Sequence, residues 1–117
     1  MSRVLLVDDD FATRTLLSLM LAEMGYGVAS AASGDEGLRY LYSEEACDLV
    51  VSDMLMPGMS GIEFAQRISD VRPGLPLIFI SGYPRGMDLA RKAGTWSLPK
   101  PIRPHDLMIV LNAALSS

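Results

Sequence analysis

The chain has one cysteine, Cys47, and one histidine, His105. A single thiol excludes an internal disulfide and any Cys-rich zinc or iron–sulfur site. Lying between a helical pattern and a strand pattern, Cys47 reads as a plain buried or half-buried thiol. His105 stands at the start of the last helical pattern and reads as a surface or capping residue, so zinc lacks its usual ligands. Positive charge is also scarce: Lys plus Arg number 10 against 14 Asp plus Glu, giving a formal charge of −4 and a pI near 4.8. No broad electrostatic footprint for DNA or RNA is available. No apolar run reaches transmembrane length, and three acids interrupt the opening MSRVLLVDDD before it can serve as a secretory signal. A reducing, cytoplasmic setting without membrane attachment is expected. Linkers, internal repeats and low-complexity runs are lacking as well, so residues 1–117 are expected to form one domain.

What is present is an alternation of two periods. Arg3 to Val7 is almost continuously apolar, as a central parallel strand covered on both faces should be, and Asp8 to Asp10 end it. From Phe11 to Met24 the pattern turns helical, with Leu16, Leu17, Met20, Leu21 and Met24 at spacings of three and four and Gly25 as a C-cap. Gly27 to Ala31 is a weaker second strand. Ser33 with Glu36 offers a capping box for a helix running through Leu38 and Leu41 to about Ser43. Asp48 to Ser52 reads as the third strand. Ser60 with Glu63 repeats the capping arrangement, before a helix whose apolar face is Ile62, Phe64, Ala65 and Ile68 and which closes near Arg72 to Gly74.

Pro76 to Ser81 is a fourth strand, apolar from Leu77 to Ile80. Pro84, Gly86 and Gly94 leave room for only a short helix, roughly Met87 to Lys92. Trp96 to Leu98 is a short fifth strand, and Pro104 opens a last helix through Leu107, Val110, Leu111 and Leu115. Five strands alternating with helices predict an α/β fold of three layers, a parallel sheet between two helical layers with right-handed crossovers.

A parallel sheet gathers its strand carboxyl ends along one edge, where ligands of open α/β sheets bind. That edge collects Asp8, Asp9 and Asp10 from the first strand, Asp53 from the third, Ser81 from the fourth and Lys100 beyond the fifth. Each has an ordinary reading as cap, loop acid, turn serine or solvated lysine; their convergence does not. Clustered carboxylates repel unless a cation compensates, and a hard divalent ion with oxygen ligands suits them, Mg²⁺ above all where phosphate oxygens and water complete the shell. Aspartate is also a nucleophile toward phosphorus, forming an acyl phosphate. Asp53 can attack, Asp8 and Asp9 can hold Mg²⁺, and Lys100 and the Ser81 hydroxyl can engage the remaining oxygens.

LLVDDD, SDMLMPGMSG, FISGY and LPKP, in this order along the chain, resemble the receiver domain of two-component response regulators, single-domain chemotaxis regulators included. The resemblance covers essentially the full length. It implies a doubly wound, flavodoxin-like five-stranded sheet of order 2-1-3-4-5. It implies that Asp53 is the phosphoacceptor and Asp9 a direct Mg²⁺ ligand, with Asp8 acting largely through water and the Leu55 carbonyl as a further ligand. Ser81 would hydrogen-bond the phosphoryl group, Lys100 would pair with Asp53 and then with the phosphate, and the bond before Pro101 would be cis. Self-phosphorylation and self-dephosphorylation, rather than conventional enzyme turnover, are the implied activities. Leu55 and Tyr83 flank the approach of water in the family, and two bulky side chains there imply slow hydrolysis. The implied donor is a phosphohistidine of a sensor histidine kinase or histidine phosphotransfer domain, docking on the first helix near Phe11, Arg14 and Thr15.

Three departures from the family pattern stand out. Ser97 occupies the place of the switch aromatic, and strand alternation turns the neighbouring Trp96 to the opposite face, as packing rather than as a replacement. Ser60 replaces the usual aspartate before glycine, which costs little because both cap helices. The short span from Ser81 to Lys100 implies a shortened fourth helix and a remodelled output face. The RPGLPLIFISGYP run is similar to receivers fused to hybrid sensor kinases, which act as phosphate sinks or relays. A pseudo-receiver that binds partners without phosphate is the other alternative. Monomer or weak dimer is the expected state.

Overall fold

A computed structural model describes residues 2–82 and 95–116. The elements follow the order β1 (Arg3–Val7), α1 (Phe11–Glu23), β2 (Gly27–Ala31), α2 (Gly34–Tyr42), β3 (Leu49–Asp53), α3 (Gly61–Val71), β4 (Leu77–Ser81), β5 (Trp96–Pro99) and α4 (Pro104–Ser116). The expected short helix at Met87 to Lys92, with Tyr83, lies outside the described residues.

All strand pairs are parallel, in the order β2-β1-β3-β4-β5. Alternation sorts the strand side chains into two cores. Leu5, Val7, Val50 and Phe79 face α2 and α3, packing with Leu38, Leu41, Phe64 and Ile68. Val4, Leu6, Leu49, Val51, Ile78 and Ile80 face the other layer, with Leu17 and Leu21 of α1 and Leu107 and Leu111 of α4. Strands covered on both sides are apolar along most of their length, which is why Val4–Val7 of β1, Leu49–Val51 of β3 and Leu77–Ile80 of β4 read as hydrophobic runs. The edge strand β2 is only half-buried over most of its length, matching its weaker signal.

Caps set the helix limits. Asp10 starts α1 by accepting from the Thr13 amide, and Gly25, at φ +94°, follows its end in the left-handed region. Ser33 and Glu36 form a nearly reciprocal box: the serine accepts from the Glu36 amide, while the glutamate accepts from the Ala32 amide, one residue earlier than the standard arrangement. At α3 only half the box forms. Ser60 accepts from the Glu63 amide, but the Glu63 carboxylate pairs with Arg67 one turn on, at 2.8 Å.

The α1 stripe is narrower than its spacing predicts. Leu17 and Leu21 are buried, whereas Leu16 faces solvent, a helical step of about 100° around from Leu17. The third strand sits one residue later than expected. Asp48 only flanks it, its carboxylate accepting from the Arg3 amide, and Asp53 joins the ladder opposite Ile80.

Candidate functional site

Because Asp53 is the last residue of β3, the ladder fixes its backbone and presents its carboxylate at the sheet's carboxyl edge. It is 8% exposed. One oxygen, Oδ1, accepts from the Leu55 amide at 3.2 Å, and the other, Oδ2, faces the Lys100 ammonium at 3.3 Å. Lys100 is held in turn by its own backbone: its amide donates to the Ser81 carbonyl at 2.9 Å, continuing the β4–β5 pairing by one step, and the Lys100–Pro101 bond is cis. Ser81 ends β4 and is buried, opposite Pro99 in register.

The second acidic group comes from the β1–α1 turn. Asp8 is fully buried; its amide donates to the Ala31 carbonyl, and its Oδ1 accepts from the Asp10 amide at 2.9 Å. Its Oδ2 is buried and, among the described residues, has no hydrogen-bond partner. Burial raises the affinity of the Asp8 carboxyl for protons, and the charges of Asp53 and Asp9 push the same way, against the Asp10 amide and Lys100. Asp10 has a different task. Its carboxylate accepts from both the amide and the hydroxyl of Thr13, and these bonds, the hydroxyl's first, hold its pKa below the ordinary range. The triplet thus divides into a helix cap, Asp10, and two acids that face Asp53.

Asp8, Asp9 and Asp53 each bring a carboxylate oxygen within 4.8 Å of the others. Direct Mg²⁺–oxygen bonds of about 2.0–2.1 Å allow opposed ligands about 4.2 Å apart, so this spread fits an ion that keeps some of its water. The unpartnered, desolvated Asp8 oxygen supports the same fit, since a buried carboxylate oxygen without a donor is expensive unless a cation completes it. Leu55 supplies the amide that binds Asp53 Oδ1, and the residue is 62% exposed.

Two features of the site escaped the sequence reading. The loop after Asp53 turns at Pro57 and Gly58, and Met54, Met56 and Met59 are buried into the α2–α3 core while Leu55, Pro57 and Gly58 are exposed. Strand alternation continuing past Asp53 accounts for Met54 and Met56, though not for Met59 beyond the turn. Arg14, expected among exposed docking positions, is half-buried: its Nη1 donates to the Asp8 carbonyl at 2.7 Å, and its guanidinium carbon lies 5.6 Å from the centre of the Phe11 ring. Phe11 and Thr15 are exposed as expected. Cys47 is half-buried and its thiol is pushed up by burial, and His105 is exposed.

No helix among the described residues is long and apolar enough to cross a membrane. The response regulator receiver domain family matches residues 4–112. The chain is similar to the transcriptional regulatory protein GlrR of Escherichia coli, 39% identical over 117 residues, which cover 97% of this chain and 26% of that protein. It therefore spans about a quarter of the length of the first curated relatives it matches. Among solved structures, a response regulator receiver domain protein from Clostridium thermocellum superposes with a TM-score of 0.91 at 30% identity, covering 99% of this chain and 95% of that one. The response regulator protein TrrA of Thermotoga maritima, solved in complex with Mg²⁺-BeF, superposes with a TM-score of 0.89 at 33% identity, covering 98% of this chain and all of that one. With its sheet order, its carboxylate-tipped third strand and a family match across nearly its whole length, the chain belongs to the response regulator receiver domain family.

Proposed function

We propose that the chain is a phosphoacceptor in two-component signal transduction, with Asp53 taking a phosphoryl group from a phosphohistidine donor. The observation that carries this reading is the pairing of a ladder-fixed, buried carboxylate with Lys100 at 3.3 Å and with two further acids within 4.8 Å. A carboxylate oxygen of Asp53 attacks phosphorus as the bond from phosphorus to the donor nitrogen breaks, leaving an acyl phosphate on Asp53 and the imidazole on the donor. Lys100, already on Asp53, neutralises the charge that the phosphoryl group adds, and the Ser81 hydroxyl donates to one of its oxygens. Asp8, Asp9, Asp53 and the Leu55 carbonyl hold Mg²⁺. The bound ion supplies positive charge to the phosphoryl oxygens.

Phosphorylation acts by population shift, favouring the arrangement that brings Ser81 and Lys100 closest to the new charge. The donor is a sensor histidine kinase or a histidine phosphotransfer domain. A groove of about 440 Å³ beside Lys100, lined by Thr13, Leu16, Leu17, Met20 and Ile102, supports docking along α1, with the exposed Leu16 as an apolar contact. A cytoplasmic setting follows from such a donor.

The test is labelling with a small phosphodonor such as acetyl phosphate, read by intact mass, with and without Mg²⁺, on the native chain and on Asp53→Asn. A single phosphoryl adduct that needs both Asp53 and Mg²⁺ is expected. No adduct on the native chain, or an equal adduct on Asp53→Asn, refutes the reading in favour of a pseudo-receiver.

A further inference from the structure

We infer that Arg14 is a positioning residue of the acidic pocket: its guanidinium holds the Asp8 carbonyl and so keeps the Asp8 and Asp9 carboxylates turned toward Asp53. This rests on the metal-binding part of the proposed function.

Asp8 is the point where β1 stops being a strand. Val7 still pairs with Ala31 and Ser52, and the Asp8 amide still donates to Ala31, but the register goes no further. The peptide that follows must turn into α1 while carrying two acids that repel each other and Asp53. Two bonds fix that turn. The Asp10 amide binds Asp8 Oδ1, and Arg14 reaches back from the second turn of α1 to the Asp8 carbonyl at 2.7 Å. Phe11, one turn earlier on the same helix face, lies against the guanidinium at 5.6 Å and restricts its orientation. With the carbonyl and Oδ1 both engaged, Oδ2 is the Asp8 oxygen without a hydrogen-bond partner among the described residues, in a carboxylate that stands within 4.8 Å of those of Asp9 and Asp53.

An arginine next to the Asp8–Asp10 turn also invites a purely electrostatic explanation, in which it offsets the acidic charge there. The two roles predict opposite signs. Removing a cation that merely offsets charge makes the pocket more negative and tightens binding of a divalent ion. Removing a bond that holds the ligands in place weakens it, and loss of such supporting bonds costs about 10- to 100-fold in metal affinity at other sites.

The experiment titrates the 117-residue chain with Mn²⁺ alone, reading free Mn²⁺ by electron paramagnetic resonance, and then displaces it with Mg²⁺. Melting in EDTA verifies the fold of every variant. Arg14→Met keeps the aliphatic stem and helix propensity while removing the donors; we expect about tenfold weaker binding. Arg14→Lys keeps the charge and one donor without the rigid fork and should fall between the two, which also tests the assignment should the methionine variant not fold. Binding by Arg14→Met as tight as the native chain's, or tighter, overturns the positioning role alone. No binding by the native chain overturns this inference together with the proposed metal site, whereas binding that Asp8→Asn abolishes and Arg14→Met leaves intact spares the site and removes Arg14 from it.

Discussion

Replacing Asp8 by asparagine should stabilise the metal-free protein, against the usual expectation for a change at a fully buried polar residue. Asp8 Oδ2 has no partner among the described residues, and leaving a buried acceptor unsatisfied costs about 1–3 kcal/mol. Like charges 4.8 Å apart at an effective permittivity near 20 repel by about 3 kcal/mol, a cost reduced here by Lys100 and by the exposure of Asp9. Asparagine keeps the Oδ1 acceptor for the Asp10 amide, removes the charge beside Asp9 and Asp53, and replaces the orphan oxygen with a donor. A net gain of about 2 kcal/mol follows. At about 2.1 cal/mol/K per residue, unfolding 117 residues carries about 0.25 kcal/mol/K of entropy, so Tm should rise by about 8 °C.

The pH dependence carries its own sign. The Asp8 pKa is raised on folding, so the folded state binds its proton more tightly than the unfolded chain does. Below the unfolded value of 3.8 both states are protonated and Asp8 imposes no charge penalty. As pH rises through the folded pKa that relief is lost, so the margin of Asp8→Asn over the native chain widens toward neutral pH. The assay is thermal unfolding by circular dichroism in EDTA from pH 4.5 to 8, repeated in MgCl₂. An ion at 100 times its Kd adds about 2.7 kcal/mol to the native chain and little to the variant, closing the gap. Asp8→Asn melting at or below the native chain in EDTA at neutral pH would show that the buried Asp8 charge does not destabilise the metal-free fold.

Two further changes probe the surroundings of Asp53. A methyl group on Gly61 would meet the Met54 sulfur and carbonyl and the Phe79 ring, so Gly61→Ala should cost about 1–3 kcal/mol in urea unfolding; native-like stability would show that α3 does not press on the end of β3. On the proposed phosphoacceptor reading, Leu55→Asn opens the solvent side of Asp53 without disturbing the amide that holds it. Decay of the labelled protein should then speed up about three- to tenfold, or about 0.7–1.4 kcal/mol off the barrier, and an unchanged rate would show that Leu55 does not restrict water.

The sequence was most informative where one local rule governs. Apolar runs marked β1, β3 and β4, because a doubly covered parallel strand has little polar surface, and Ser33 and Ser60 marked helix starts, because each satisfies an amide within its own turn. It was least informative where two local choices compete or where the partner is remote. Glu63 could close a capping box or pair with Arg67, and the i,i+4 pair formed. Three carboxylates in a row look equivalent until the chain folds. Thr13 then claims Asp10, burial claims Asp8, and only the meeting of β1 with β3 brings Asp8 and Asp9 to Asp53. Arg14 has the spacing of a surface helix residue, and nothing local to it signals a bond to a strand-end carbonyl.

The register of β5 bears on how a change at Asp53 can travel. Ser97 lies opposite Phe79, whose side chain belongs to the α2–α3 core, while Trp96 lies opposite Ile78, which belongs to the α1–α4 core. Paired residues in neighbouring strands share a face, so Trp96, 37% exposed, stands on one face and Ser97 on the other, the α2–α3 face. Moving Trp96 to that face would require a one-residue slip of β5, which would also expel Leu98 from its buried place and break the bond from the Lys100 amide to the Ser81 carbonyl. A slip that releases Lys100 from its anchor also loosens its hold on Asp53. On the proposed phosphoacceptor reading, Trp96 therefore cannot take the part of a switch aromatic without dismantling the site it would report on, and a movement of Ser81 would reach β5 through the backbone bond that ties Ser81 to Lys100.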